Sequence, residues 1–130
     1  MSKKAIVLSV KTPYADLILD GIKTLEVRTK RLPWSDIAYI YSSGFLQQIV
    51  GSCSYVGPVT LPLERVLEGA CLSREQYDDY VGDKFAYVYE IRNVVDFTKS
   101  YELSDFGLQT APQSWSYARF IPASCIIAEG

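Results

Sequence analysis

The spacing of apolar residues changes abruptly at Gly21, and this change limits the possible folds more than any other feature. Before it, Tyr14 and Ile18 stand four positions apart, on one side of a helix. After it, Leu25 and Val27 alternate with polar side chains, which is the period of a strand with one buried face. Glycine takes the left-handed conformation that ends many helices without steric cost. The sequence therefore predicts a helix that ends at Gly21 and a strand that follows it.

The residues around Thr12 predict where this helix begins. The hydroxyl of Thr12 can cap a helix by accepting an unpaired backbone N–H, and Pro13 suits the first helical position, where no N–H is needed. Asp16 would then lie in the first turn, where the positive end of the helix favours a carboxylate. We therefore expect the helix to begin at Thr12.

The strand predicted over residues 24–30 carries polar side chains on one face. These side chains are Thr24, Glu26, Arg28 and Lys30. Because next-but-one residues of a strand lie about 7 Å apart, long side chains at Glu26 and Arg28 can interact. Taken alone, this pattern predicts an ion pair on a solvated strand, worth at most about 1 kcal/mol.

Length and composition limit the class of protein. With 130 residues, 48% of them hydrophobic, the chain can form one packed domain, and we expect a single domain over residues 1–130. No apolar run is long enough to cross a bilayer, and the apolar segment 5–10 is cut short by Lys11. We therefore expect a cytoplasmic protein without membrane contact.

The sequence has no histidine and three widely separated cysteines, Cys53, Cys71 and Cys125. Neither a disulfide framework nor the usual zinc spacing is available, so we predict buried thiols and no metal or other cofactor. The absence of histidine also excludes Ser-His and Cys-His mechanisms. Any catalysis would use Lys, Glu, Asp, Tyr or Thr.

Charge is unevenly distributed along the chain, although the net charge is only −2. Residues 1–31 hold seven basic and three acidic side chains, a net charge of +4, and the remainder has a net charge of −6. One basic face for an anionic ligand is one interpretation. Lysines scattered over the surface for solubility are the other.

The rest of the chain reads mainly as short strands. Strands are predicted over residues 5–10, 37–42, 48–56, 83–97, 101–103 and 126–127. Helices are predicted around residues 63–67 and over 74–80, the second one capped by Ser73. Pattern alone therefore predicts a small mixed α/β domain rich in strands.

Several motifs together carry a family resemblance. The run Gly21-x-Lys23-Thr24-x-Glu26-x-Arg28 is similar to the signature of the ASCH domain. Five further motifs also resemble stand-alone bacterial and phage ASCH-like proteins: Ser9-Val10-Lys11, Tyr39-x-Tyr41-x-Ser43, Ile49-Val50-Gly51, Ala86-Tyr87-x-x-x-Ile91 and Pro112-Gln113-Ser114-Trp115-x-Tyr117. The resemblance implies an α+β fold, a PUA-like small mixed β-barrel with one early helix packed on it and a short helical insertion.

The resemblance also implies a cleft between barrel and helix, in a family associated with RNA. There Arg28 would bind phosphate or a base edge, and Lys23 would act as a point charge on phosphate. Glu26 would accept a hydrogen bond from an exocyclic amine or a ribose hydroxyl. The other predicted ligand-binding residues are Lys11, Thr24, Gln113, Ser114 and Tyr117.

Aromatic residues supply candidates for stacking on an unpaired base, since the chain has ten tyrosines and two tryptophans. The candidates are Tyr39, Tyr41, Tyr117, Trp34 and Trp115. We assign four others to the core because they lie on alternating strands: Tyr55, Phe85, Tyr87 and Tyr89.

Three functions stay open at this point. The first is an RNA-binding or modified-nucleotide-binding module. The second is a small hydrolase, resembling N4-acetylcytidine amidohydrolases or ribonucleases, with Lys23 and Glu26 as catalytic residues. The pattern in those amidohydrolases is Lys-Thr-x-Thr-x-Arg, so Glu26 stands where their second threonine would be, and Glu75 is only a loose counterpart of their glutamate. The third is a protein-interaction or regulatory domain without nucleic acid, which a pI near 5.1 would suit.

Overall fold

The computed structural model describes residues 4–125, so the strand predicted at 126–127 lies outside the described residues. Its elements are β1 (Ala5–Lys11), α1 (Thr12–Leu19), β2 (Leu25–Arg28), β3 (Ile37–Ser43), β4 (Gln48–Val59), α2 (Leu63–Ala70), α3 (Arg74–Val81), β5 (Tyr87–Tyr101), a 3-10 turn (Leu103–Phe106) and β6 (Trp115–Tyr117). The strands form one sheet in the order β2-β5-β4-β3-β1-β6. Strands β1 and β3 pair in parallel, and all other neighbours are antiparallel.

The sheet curls into a half-barrel. Its two longest strands, β4 and β5, pair with three register shifts, and each shift bends and twists the strands locally. The curl brings the edge strand β2 close to the opposite edge, where Arg28 donates a hydrogen bond to the carbonyl of Ser9 in β1. Helix α1 packs on the sheet, and α2 and α3 form an insertion between β4 and β5. The predicted α+β architecture is therefore confirmed.

Alternation along the strands divides the core into separate clusters. Ile6 and Leu8 of β1 pack under α1, whereas Val7 between them packs on the opposite face against Tyr39 and Phe106. A third cluster joins the inner side of the helical insertion to the apolar face of β2. The central strands are thus covered on both faces. Separately, no helix within residues 4–125 is long and apolar enough to span a membrane.

Helix α1 begins at Thr12 and ends before Gly21 as predicted, but its first turn is capped differently. Gly21 has φ +77°, and its N–H donates to Ile18 while the N–H of Ile22 donates to Leu17, which closes the last turn. The predicted cap at Thr12 is wrong: Lys11 precedes the helix without a side-chain cap. The first turn contains no acidic residue, so the position predicted for Asp16 is wrong as well.

The Thr12 hydroxyl contacts the end of β3 instead of capping the helix. It donates to the carbonyl of Ser43 at 2.8 Å and receives a hydrogen bond from Ser42. These partners lie about 30 positions away in the sequence, so local spacing did not reveal them. The hydroxyl therefore ties α1 to the sheet.

Two strand predictions also need correction. Residues 101–103 are not a separate edge strand, because β5 continues to Tyr101 and the chain then forms a 3-10 turn that buries Phe106 against Tyr39. The strand predicted from residue 83 begins at Tyr87, and β2 ends at Arg28 rather than Lys30.

Candidate functional site

Lys23, Glu26 and Arg28 meet in one buried group, which we call the ionic cluster. The Lys23 Nζ lies 3.3 Å from Glu26 Oε1, and the Arg28 Nε lies 2.9 Å from Glu26 Oε2. Only 4%, 10% and 12% of the three side chains, in that order, is exposed. The ion pair predicted on a solvated strand is therefore wrong, because the curl of the sheet encloses this face of β2.

Lys23 joins the cluster from just outside the strand. Since β2 begins at Leu25, Lys23 does not follow the alternation of strand side chains. Its ammonium donates to the carbonyl of Ala70 at the end of α2, at 2.9 Å, and lies 5.2 Å from the centroid of the Tyr14 ring. The cluster thus connects α1, α2 and β2.

Arg28 links the two edges of the curled sheet, and we call this junction the seam. Its NH2 donates to the Ser9 carbonyl at 2.9 Å, and its NH1 donates to Ser114 Oγ at 3.3 Å. On the far side, Ser9 Oγ donates to Pro112 at 2.6 Å and the Ser9 N–H donates to the Ser114 carbonyl at 2.9 Å. The structure therefore brings Arg28 and Ser114 together, although they are 86 positions apart.

The electrostatics of the cluster favour a charged carboxylate. Burial raises the pKa of Glu26, but the charges and hydrogen bonds of Arg28 and Lys23 outweigh burial and hold this pKa below its ordinary value. Burial, followed by the nearby Glu26 charge, raises the pKa of the Cys53 thiol to about 12, so Cys53 is neutral. Two cations and one carboxylate leave the cluster with a net charge of +1.

Thr24 and Glu75 do not join this cluster. Thr24 is exposed and lines a different groove of about 500 Å³, together with Arg65, Glu68 and Arg92. Glu75 lies exposed in the first turn of α3, and the carboxylate beside Lys23 is Glu26. The shared face predicted for Thr24 and Glu26 is wrong because the chain enters β2 only after Thr24.

The other predicted ligand-binding residues lie at or near the β1–β6 edge. Lys11 is exposed at the end of β1, and Gln113 is exposed beside Ser114. Tyr117 is 43% exposed on β6, and the ammonium of Lys4 lies 5.2 Å from its ring centroid. Sequence reasoning missed Lys4, since only the pairing of β1 with β6 places it beside an aromatic ring.

The structure corrects several aromatic assignments. Tyr39 and Tyr41 are buried and cannot stack on a base, whereas Trp34 is exposed and Trp115 is half-buried. Tyr89 is in the core as predicted, and its hydroxyl accepts the N–H of Leu32. Tyr55 and Tyr87 are half-buried beside the core.

Phe85 is the clearest failure of the core assignment, because 69% of it is exposed. Phe85 precedes β5, which begins at Tyr87, so the two-residue period of the sequence assigned it to a strand face that it does not occupy. Cys53 and Cys125 are buried as predicted, and Cys71 is half-buried. Within residues 4–125, no group of three His, Cys, Asp or Glu side chains is placed to hold a metal ion.

A curled sheet with an early helix and an inserted helix pair defines a PUA-like α+β domain. The chain belongs to the ASCH domain family, whose model matches residues 8–108. This family is associated with RNA binding and nucleotide-related activity.

The fold is similar to crystal structures of ASCH from Zymomonas mobilis. A serine-to-alanine variant is 25% identical, with 89% of each chain covered and a TM-score of 0.74. A tyrosine-to-phenylalanine variant is also 25% identical, with 89% of this chain and 91% of that chain covered and a TM-score of 0.68. A further structure of that ASCH protein is 22% identical over 96% of this chain and 92% of that chain, with a TM-score of 0.67. No curated protein matches the chain.

Proposed function

We propose that this protein binds RNA or a modified nucleotide at the seam. The observation that carries the proposal is the unbalanced charge of the ionic cluster. Among the described residues, 4–125, Lys23 and Arg28 share Glu26 as their one carboxylate, in a site largely closed to water. A buried net positive charge is stabilised by a nearby anion, and a nucleotide phosphate supplies one. A cytoplasmic location, as predicted from the sequence, suits such a ligand.

The seam has one contact that a phosphate would readily replace. The hydrogen bond from Arg28 NH1 to Ser114 Oγ, at 3.3 Å, is longer than the other bonds of that guanidinium. A phosphate oxygen that displaces the Ser114 hydroxyl would form a charge-assisted bond while Glu26 keeps Arg28 in place. Arg28 would thus change one partner without losing its orientation.

Exposed groups beside the seam suit the rest of a nucleotide. The Tyr117 ring is accessible, and Lys4 beside it can bind a second phosphate. The Gln113 amide, next to Ser114, has both a donor and an acceptor for a base edge. Lys4 would thus bind a phosphate, Tyr117 would stack on a base, and Gln113 would form hydrogen bonds with a base edge.

Hydrolysis by Lys23 and Glu26 has less support. A carboxylate whose pKa is lowered is a weaker base, and both Glu26 oxygens already face a cation. Lys23 is also bonded to the Ala70 carbonyl. Both groups are therefore better placed to hold charge than to move a proton.

The test is a titration of fluorescent single-stranded RNA at two salt concentrations. We expect saturable, salt-sensitive binding that Tyr117→Ala weakens about tenfold, the size of one lost base stack. Lys4→Gln should lower the salt slope by about one phosphate contact. Arg74→Gln, in an exposed ion pair of α3, is the matched control and should bind as the wild type does.

Mass spectrometry of the RNA and of a modified-nucleoside panel after incubation separates the functions. Unchanged RNA and nucleosides are expected for a binding module. Cleaved RNA or a converted nucleoside would support the hydrolase instead. Absence of saturable binding to RNA and nucleotides would contradict the proposal and favour a protein-interaction domain.

A further inference from the structure

A second groove lies where β5 begins, and we call it the Phe85 groove. It has a volume of about 420 Å³, and its lining includes Arg31, Pro58, Leu61, Tyr77, Phe85 and Tyr87. The Phe85 ring is largely exposed, and its centroid lies 4.8 Å from that of Tyr87. A large aromatic ring thus stands open at the mouth of an apolar groove.

The charge of this groove is positive. Among the described residues that line it, Arg31 is the one that carries a charge, and none is a carboxylate. The guanidinium carbon of Arg31 lies 5.4 Å from the centroid of the Tyr87 ring. An open aromatic ring beside a cation is the combination that binds single-stranded nucleic acid, because any base can stack and any phosphate can pair.

The groove is continuous with the seam along the chain. Arg28 and Tyr87 are paired residues of β2 and β5, so one end of the groove adjoins the residue that closes the seam. Three of the four residues from Arg28 to Arg31 are basic, and Lys30 is exposed. Arg31 lies within about 10 Å of Arg28 along the backbone. A phosphate backbone that leaves the seam along this segment would pass Lys30 and then Arg31.

We propose that the Phe85 groove binds a base of the same strand whose phosphate lies at the seam, with that base stacked on Phe85 and its phosphate on Arg31. The inference rests on the proposed function and narrows its ligand class to single-stranded RNA of more than one nucleotide. The basic segment that joins groove and seam favours this ligand over an apolar peptide, which would gain nothing from the cations.

The experiment compares a mononucleotide with an oligonucleotide in a Trp34→Phe background. This background leaves Trp115, which adjoins Ser114, as the only tryptophan of the chain, so its fluorescence reports occupancy of the seam. The ligands are adenosine monophosphate and a short single-stranded oligoadenylate. We expect both to change Trp115 fluorescence, and the oligoadenylate to bind more tightly.

Substitutions at Phe85 and Arg31 then test the groove itself. Phe85→Leu should weaken oligoadenylate binding about tenfold and leave mononucleotide binding unchanged, whereas Phe85→Tyr should keep both. Arg31→Gln should lower the salt slope for the oligoadenylate by about one. Because Phe85 is exposed, its variants should unfold at the temperature of the parent, which a melting curve checks.

The outcomes separate the groove from the seam. If Phe85→Leu binds oligoadenylate like the parent while Trp115 still responds, the groove inference is overturned and the proposed function stands. Equal weakening of both ligands would also overturn it, because Phe85 would then act on the seam. If neither ligand alters Trp115 fluorescence or binds, both proposals fail. A Phe85-dependent change in self-association with unchanged RNA affinity would assign the groove to a contact between two copies of the chain.

Discussion

Two arginine–glutamate pairs with identical spacing occur on neighbouring strands, and their surroundings differ sharply. Glu26 and Arg28 on β2 have side chains that are 10% and 12% exposed, whereas Glu90 and Arg92 on β5 are 38% and 56% exposed. Arg92 bonds to Glu90 at 2.8 Å in open solvent, but Arg28 also joins the two sheet edges. The spacing in the sequence therefore brings the charges of each pair together. The curvature of the sheet decides how deeply each pair is buried and how much it contributes to stability.

The largest effect is expected for Glu26→Gln. Loss of this carboxylate leaves Lys23 and Arg28 as buried cations without a counter-charge, so we expect the free energy of unfolding to fall by about 3–5 kcal/mol. Urea or guanidinium unfolding followed by circular dichroism measures it. The same substitution at Glu90 is the control, and equal losses at both positions would show that burial of the cluster does not matter.

Acid should reduce the contribution of the buried pair to the free energy of unfolding. The loss should be no larger than the loss that Glu26→Gln causes. The pKa of Glu26 is below its ordinary value of 4.5 in the folded state, so the unfolded chain binds the proton more readily. The stabilisation is therefore complete above the unfolded pKa and is lost as pH falls through the folded pKa. Unfolding midpoints from pH 7 down to the acid transition should fall more steeply for the wild type than for Glu26→Gln. Parallel curves would contradict the lowered pKa.

Arg28→Lys should have a smaller effect that separates charge from geometry. Lysine keeps the positive charge beside Glu26 but cannot bond Glu26, Ser9 and Ser114 together, so we expect a loss of about 1–2 kcal/mol. Hydrogen exchange should show faster opening of β6 than in the wild type. Unchanged exchange there would mean that Arg28 does not hold the seam closed.

The smallest effect is expected at the exposed pair. Arg92→Lys should change the free energy of unfolding by less than about 0.5 kcal/mol, because solvent screens this exposed pair. The same unfolding experiment measures it beside Arg28→Lys. A loss as large as that of Arg28→Lys would remove the distinction between the two pairs.

Sequence reasoning predicted the parts of the fold that depend on near neighbours. The helix that ends at Gly21 and the alternation of β2 are local, and both are confirmed. Glu26 and Arg28 were expected to interact for the same reason. Their burial was not expected, because it depends on how far β4 and β5 bend, and no local pattern encodes that angle.

The errors at the site share a physical origin in distant contacts. Thr12 bonds to Ser43 rather than to its own helix. Lys23 reaches the cluster from outside β2, which begins one residue later than the pattern indicates. Tyr39 is buried while Phe85 is open, although both lie in alternating runs. Periodicity assigns side chains to faces, and only the tertiary fold decides which face meets water.

The bond between Ser9 and Pro112 joins positions 103 residues apart, which has a consequence for synthesis. At ordinary rates of elongation, Ser9 of β1 leaves the ribosome roughly 5 to 20 s before Pro112 does. Until residues 115–117 arrive, the outer edge of β1 has no neighbour there and can pair with another chain. Nascent chains of this protein therefore pass through an interval of aggregation risk, which ends when β6 pairs with β1.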